Sequence, residues 1–195
     1  MHSILWRRLW HLLGGSLFPS LALFIPRGTL LITLGTMTLI FVVWEIVRFT
    51  SPSVDRRTVS HLGVILKRKE GSRLTGTTYL LLSSLAVFLF FEKYVAVTSL
   101  FFLSIGDLMA TVIGETFGRR KVFNKSLEGS LACLASCLII GVVVTRVSTA
   151  IILPVAIAGA VSATIVEFLP IPIDDNFTMP LFSAGIMTLA ALYFD

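Results

Sequence analysis

Seven apolar runs separated by short polar breaks occupy most of the 195-residue chain: residues 9–26, 28–47, 77–91, 94–113, 129–145, 148–168 and 177–194. A helix needs about 20 apolar residues to cross a bilayer, and lipid offers no outside partner to backbone N–H and C=O groups. The pattern therefore predicts an all-α, polytopic membrane helical bundle of about seven transmembrane helices, forming a single domain over 1–195. Composition agrees, with 55% hydrophobic and 14% charged residues and a mean hydropathy of +0.92. The third run is short, and only Glu92 and Lys93 separate it from the fourth, so these two are expected to form a tight hairpin.

The first run lies in "MHSILWRRLWHLLGGSLFPSLALF", which has the basic flank of a signal peptide but no small-x-small cleavage site. It is expected to be a retained first span. With the N-terminus in the cytoplasm, only Arg27, Lys93 and Arg146 of the 16 lysines and arginines fall on the outer side, a strong positive-inside bias. This bias and anionic lipid account for the net charge of +5 better than a nucleic acid partner does. The same parity puts every polar cluster on the cytoplasmic face. Within the largest loop, "VSHLGVILKRKE" is expected either to lie on the bilayer surface as an amphipathic helix, with Lys67, Arg68 and Lys69 on lipid phosphates, or only to set topology. Cys133 and Cys137, four apart in an apolar run with no histidine nearby, are read as packing residues.

Three clusters carry chemistry. In "GDLMATVIGETFGRRKVFNKSLEGS", Gly106, Ala110, Gly114 and Gly118 recur every four residues and make a smooth helix side, while Asp107, Thr111 and Glu115 form a polar stripe beside it. An intramembrane carboxylate such as Asp107 costs a few kcal/mol unless it is paired, hydrated or bound to a cation. Next come Arg119, Arg120, Lys121 and Lys125, ahead of a new helix whose first amides favour an anion. The third cluster, "EFLPIPIDDNFTMP", offers Glu167, Asp174, Asp175 and Asn176, oxygen donors suited to magnesium, with Asp175 or Asn176 alternatively capping the last helix. Acids that hold a divalent metal beside bases that hold phosphates are what phosphoryl transfer requires. Two lesser pairs complete the set: Arg8 and His11 on one side of the first helix, and Glu45 and Arg48, which equally read as an intrahelical ion pair.

The run "GDLMATVIGETFGRRKVFNKSLEGSLA" resembles the signature of the CTP-dependent lipid-alcohol kinases, the family of dolichol kinase, phytol kinase and CTP-using diacylglycerol kinase. "RRLWHLLGG", "WEIVR", "KRKEGSRLTGTTYLLL" and "EFLPIPIDDNFTMPL" resemble further segments of that family in the same order, so the likeness covers most of the chain. It implies transfer of the γ-phosphoryl group of CTP to the hydroxyl of a polyprenol, phytol or diacylglycerol, with Mg2+ or another divalent cation as cofactor. On this resemblance Asp107, Glu167, Asp174 and Asp175 are the metal candidates, and Asp107 also the candidate to orient or deprotonate the alcohol. Arg119, Lys121 and Lys125 hold the nucleotide phosphates, Lys125 and Glu128 lie at the catalytic core, and Gly106, Gly114, Gly118 and Gly129 allow close approach. Arg8, His11, Glu45, Arg48 and Asn176 are further candidates.

The cytoplasmic face agrees with a cytosolic nucleotide. Such a protein would lie in the cytoplasmic membrane of a bacterium, or in the endoplasmic reticulum or a plastid membrane of a eukaryote, and could form a homo-oligomer. The related CTP:lipid-phosphate cytidylyltransferases carry a C-terminal block with K-D, P-G-H-G-G and D-R that "EFLPIPIDDNF" lacks. A small transporter would place polar residues at span centres and on both faces, which these runs do not.

Overall fold

The computed structural model describes residues 2–51, 53, 54, 74–123 and 125–194, without the side chains of residues 2–5 and 7. The surface-helix expectation for "VSHLGVILKRKE" lies outside the described residues. Among those described, seven helical rods follow one another up and down: α1 (His2–Phe24), α2 (Arg27–Thr50), α3 (Gly76–Phe90), a long rod Lys93–Phe117, α6 (Leu127–Val147), α7 (Leu153–Phe168) and α8 (Asp175–Phe194). The long rod is composite: α4 (Lys93–Phe101), a π-helical turn (Phe102–Asp107) and α5 (Leu108–Phe117). A ribbon of two two-residue strands, β1 (Lys121–Val122) and β2 (Lys125–Ser126), joins α5 to α6.

Four rods are long and apolar enough to cross a membrane, Arg27–Thr50, Lys93–Phe117, Leu127–Val147 and Asp175–Phe194, while α3 and α7 are apolar but shorter. Leu13, Leu17, Ile32, Leu39, Ile139 and Leu189 point outward, as lipid-facing side chains do. The composite rod is central, with 56% of its apolar window buried against 22% for α2. The expected α3–α4 hairpin forms, with Phe91 and Glu92 as its link; the Glu92 carboxylate caps α4 by accepting from the amides of Tyr94 and Val95. Arg27 donates to the carbonyls of Phe88 and Leu89, which pins the start of α2 to the end of α3 at this same end of the bundle.

The glycine stripe packs α5 on α6. A Cβ on Gly106 would lie 2.7 Å from the Cys137 sulfur, one on Gly114 2.7 Å from the Ser126 hydroxyl, and one on Gly129 2.6 Å from the Ala110 carbonyl oxygen. Gly129→Ala is therefore expected to destabilise the protein by about 1–3 kcal/mol through overpacking, measurable as a lower unfolding temperature in detergent. Cys133 and Cys137 are buried free thiols in this interface, in line with the packing reading.

Prolines make a second type of joint. Pro180 has no N–H for the carbonyl of Asn176, one turn earlier in α8. The Ser83 hydroxyl of α3 donates to that carbonyl at 2.6 Å, so a missing helical hydrogen bond becomes a tie between two rods. The Asn176 side chain returns a bond to the Gly76 carbonyl at 3.3 Å, and Tyr79 packs on Phe177. These contacts fix the start of α8 against the start of α3.

Candidate active site

The ribbon sets the position of Lys125. Phe123, at its tip, takes a φ of 52°, in the left-handed region that costs a side-chain-bearing residue roughly 1–2 kcal/mol. Its ring meets Phe168 edge to face at 6.1 Å, which anchors the tip on the end of α7. Val122 pairs with Lys125, and the lysine side chain then turns toward α7 and α8. Its ammonium donates to the backbone carbonyl of Glu167 and to Asp175 Oδ2 at 2.9 Å, and it lies 3.2 Å from Glu167 Oε1. Ser130 donates to the other oxygen of Glu167 at 3.0 Å. Burial works against the Lys125 charge, but Asp175 and Glu167 outweigh it, so its pKa lies above the ordinary lysine value and the group stays an ammonium at neutral pH.

Asp107 ends the π-helical turn. The rod continues to Phe117, so Asp107 lies ten residues, or about 15 Å, from that end. This is deeper than the turn and a half that the apolar run ending at residue 113 predicts. Its partner is His11: His11 Nε2 lies 3.4 Å from Asp107 Oδ2 and, although buried, makes no aligned hydrogen bond among the described residues. One turn before His11, Arg8 pairs with Glu115. Arg8 and His11 thus share a side of α1, as their spacing predicts.

At the start of α8 the capping residue is Asp174, where the sequence offers Asp175 or Asn176. Asp174 Oδ1 accepts from the Asn176 amide at 3.0 Å, and its carbonyl accepts from Phe177 and Thr178. Asp175 is thereby free to face Lys125. The amides that open α6 are less available to an anion than the sequence suggests, because Leu127 N–H goes to the Arg120 carbonyl and Gly129 N–H to the Ser126 hydroxyl.

These groups converge. A cavity of about 690 Å³ is lined by Arg8 and His11 of α1, Asp107, Thr111, Gly114 and Glu115 of the central rod, Gly118, Lys121, Lys125, Ser126 and Gly129 around the ribbon, and Glu167, Asp174, Asp175 and Asn176 at the α7–α8 turn. Asp107, Lys125 and Asp174, from three separate turns, meet in one site. Glu128 and Arg119 do not line it; the Glu128 carboxylate accepts from the Arg120 amide at 3.4 Å and steadies the ribbon. Glu45 and Arg48 lie outside it too, 1% and 2% exposed. Glu45 accepts from Arg48 Nε at 2.8 Å, the Thr75 amide at 2.6 Å and the Thr78 hydroxyl at 3.0 Å, so the pair ties α2 to the start of α3. Ser126 and Ser130 escaped the sequence reading because a serine at a helix start signals only a cap.

The lining holds five carboxylates (Asp107, Glu115, Glu167, Asp174, Asp175) against three lysines and arginines (Arg8, Lys121, Lys125). Among the described residues no three His, Cys, Asp or Glu side chains cluster closely enough to cage a metal. The lining does fit the other mode of magnesium binding, in which one or two carboxylates act together with substrate phosphate oxygens. Of these acids, Glu167 and Asp175 share Lys125, while Glu115 pairs with Arg8 and Asp107 lies beside His11.

Fold and site together define a helical integral membrane protein with a mixed acidic and basic cavity at one end of its bundle. Comparison by sequence sharpens this. The chain is 26% identical over 183 residues to an uncharacterized protein of Rickettsia prowazekii, covering 90% of this chain and 88% of that one. It is 28% identical over 171 residues to CTP-dependent diacylglycerol kinase 1 of Eremothecium gossypii (73% of this chain, 53% of that one), and 26% identical over 177 residues to the protein of the same name in Saccharomyces cerevisiae (76% and 60%). The chain thus spans between half and two thirds of the length of these two kinases, and its likeness to them is distant. No protein-family model and no solved structure matches it.

Proposed function

We propose that this protein phosphorylates a membrane lipid alcohol with CTP, at the cytoplasmic face and from a cytoplasmic N-terminus. The observation that carries the reading is the meeting of Asp107, Lys125 and Asp174 in one cavity. Its likeness to two CTP-dependent diacylglycerol kinases supports the donor and the acceptor class. The ends bearing Arg27, Lys93 and Arg146 lie away from the cavity, which supports the sidedness.

Lys121 and Lys125 bind the β- and γ-phosphates, with Arg119 reaching the tail from the rim. Gly114, Gly118 and Gly129 let α5, the ribbon and α6 close around Ser126, which brings their backbone to the cavity wall. Asp107, deep in the bundle, receives the hydroxyl of an alcohol entering from the lipid and orients its oxygen in line with the γ-phosphorus. The alcohol oxygen bonds to that phosphorus, the bond to the β-phosphate oxygen breaks, CDP leaves, and the hydroxyl proton passes to Asp107. Carboxylates among Asp107, Glu167, Asp174 and Asp175 would hold a magnesium ion together with the phosphates, and it would supply neutralisation of phosphate charge against the acidic excess of the lining. Glu167 and Asp175 keep the Lys125 ammonium in place.

The test is to incubate the purified protein with magnesium, a panel of lipid alcohols and of the corresponding lipid phosphates, and CTP labelled either in the γ-phosphate or in the cytidine. Label from the γ-phosphate is expected in a lipid monophosphate, with ATP a poor substitute for CTP. Cytidine label in the lipid would instead identify a cytidylyltransferase, and no lipid label from either would refute the proposal.

A further inference from the structure

The two glycines of α1, Gly14 and Gly15, face different surroundings. A Cβ on Gly14 would meet only Leu80, at 3.9 Å, an ordinary contact. One on Gly15 would lie 2.7 Å from the Cβ of Ser104, closer than side chains pack, with the Ser104 Cα at 3.4 Å. Ser104 is fully buried in the π-helical turn, three residues before Asp107, and the neighbouring Ser16 hydroxyl donates to its Oγ at 3.1 Å. Four residues after Gly15 comes Pro19, which has no N–H to return to the Gly15 carbonyl, so α1 is least able to hold its own course at this point.

We infer that the contact between Gly15 and Ser104 is a positioning device: it sets how closely α1 approaches the central rod, and through this the placing of His11 and Arg8 beside Asp107 and Glu115. His11 and Arg8 lie four and seven residues before Gly15, on the same side of the helix, so a displacement at Gly15 carries to both. Relieving a 2.7 Å contact requires most of an ångström of movement, and a site held in place by packing tolerates about 0.5 Å. Because α1 faces Asp107 and Glu115 and the phosphate-binding lysines come from the ribbon, the displacement acts on turnover more than on nucleotide binding.

This inference rests on the kinase reading for its turnover readout and on packing alone for its stability readout. Gly15→Ala, Gly14→Ala, Ser104→Gly and the double variant Gly15→Ala/Ser104→Gly are compared in detergent for unfolding temperature and for kcat and KM with CTP. Helix propensity favours alanine over glycine at both positions, so any loss at Gly15 is steric. Gly15→Ala is expected to lower kcat by about 10- to 100-fold with little change in KM, and to lower the unfolding temperature. Gly14→Ala keeps both, and the double variant recovers both, because the alanine methyl then meets only the Cα at 3.4 Å. Wild-type turnover in Gly15→Ala overturns the inference, as does a double variant that regains stability but not turnover. If Gly15→Ala does not fold, the double variant decides alone: folded and active supports the device, folded and inactive overturns it. A wild-type protein inactive with CTP refutes the kinase reading and, with it, the coupling to turnover, while the unfolding temperatures still judge the contact.

Discussion

Replacing Lys125 with Met is expected to lower CTP-dependent turnover by about 10²- to 10³-fold, the usual effect of deleting a preorganised charge aimed at a transferring group. Methionine preserves the apolar stem but not the ammonium that lies between Glu167 and Asp175. The substitution also leaves Glu167, 4% exposed, with only Ser130 as a hydrogen-bond donor among the described residues, so some stability is lost as well. Lys125→Met/Glu167→Gln separates the two effects. Removing the buried charge is expected to restore the unfolding temperature without restoring turnover. A single variant with near-normal turnover would show that the ammonium serves only the α7–α8 turn. Because the Lys125 pKa is raised, no change in its charge is expected to shape the pH–rate profile from pH 6 to 9.

Glu45→Ala should be the most destabilising of the substitutions considered, by about 3–5 kcal/mol, the usual result of removing one partner from a buried ion pair. The carboxylate receives Arg48, the Thr75 amide and the Thr78 hydroxyl, and all four residues are buried. Arg48 also makes cation–π contacts with Phe49 and Trp44, at 4.6 and 5.8 Å. Glu45→Gln keeps one oxygen for Thr75 and Thr78 and should cost less. Denaturation in detergent measures both. Because Glu45 does not line the cavity, the folded fraction of either variant should turn over CTP at near the wild-type rate, and a stable but inactive Glu45→Ala protein would instead give this residue a part in the reaction.

Much of this architecture is legible in the sequence, and the reasons are local. Runs of apolar residues in lipid leave the backbone no choice but helix, so the rods fall close to the apolar runs. Glycines every four residues on one helix find a neighbour to approach, and α6 is that neighbour. Arg8 and His11 share a helix side by spacing alone. Other features depend on groups distant in sequence. The π-helical turn that delivers Asp107 has no signature in "FLSIGD"; it fits beside α1 and α6, through Ser16 and Cys137. The left-handed Phe123 is unexpected in "KVFNK", and its ring contact lies 45 residues away, on Phe168. The choice of Asp174 over Asp175 as cap goes with the salt bridge that Lys125 offers Asp175.

Hydrophobicity and charge placement, read along the chain, were enough to determine a membrane bundle and the end at which its polar groups collect, because both follow from the cost of putting backbone or charge into lipid. Which of those groups touch was decided only when seven rods packed. Lys125 takes Glu167 and Asp175, Asp107 takes His11, and Glu45 holds the start of α3. Each pairing spans 30 to 96 residues, a distance over which side-chain periodicity carries no information and only the close approach of helices, through Gly15, Gly106 and Gly129, sets the geometry.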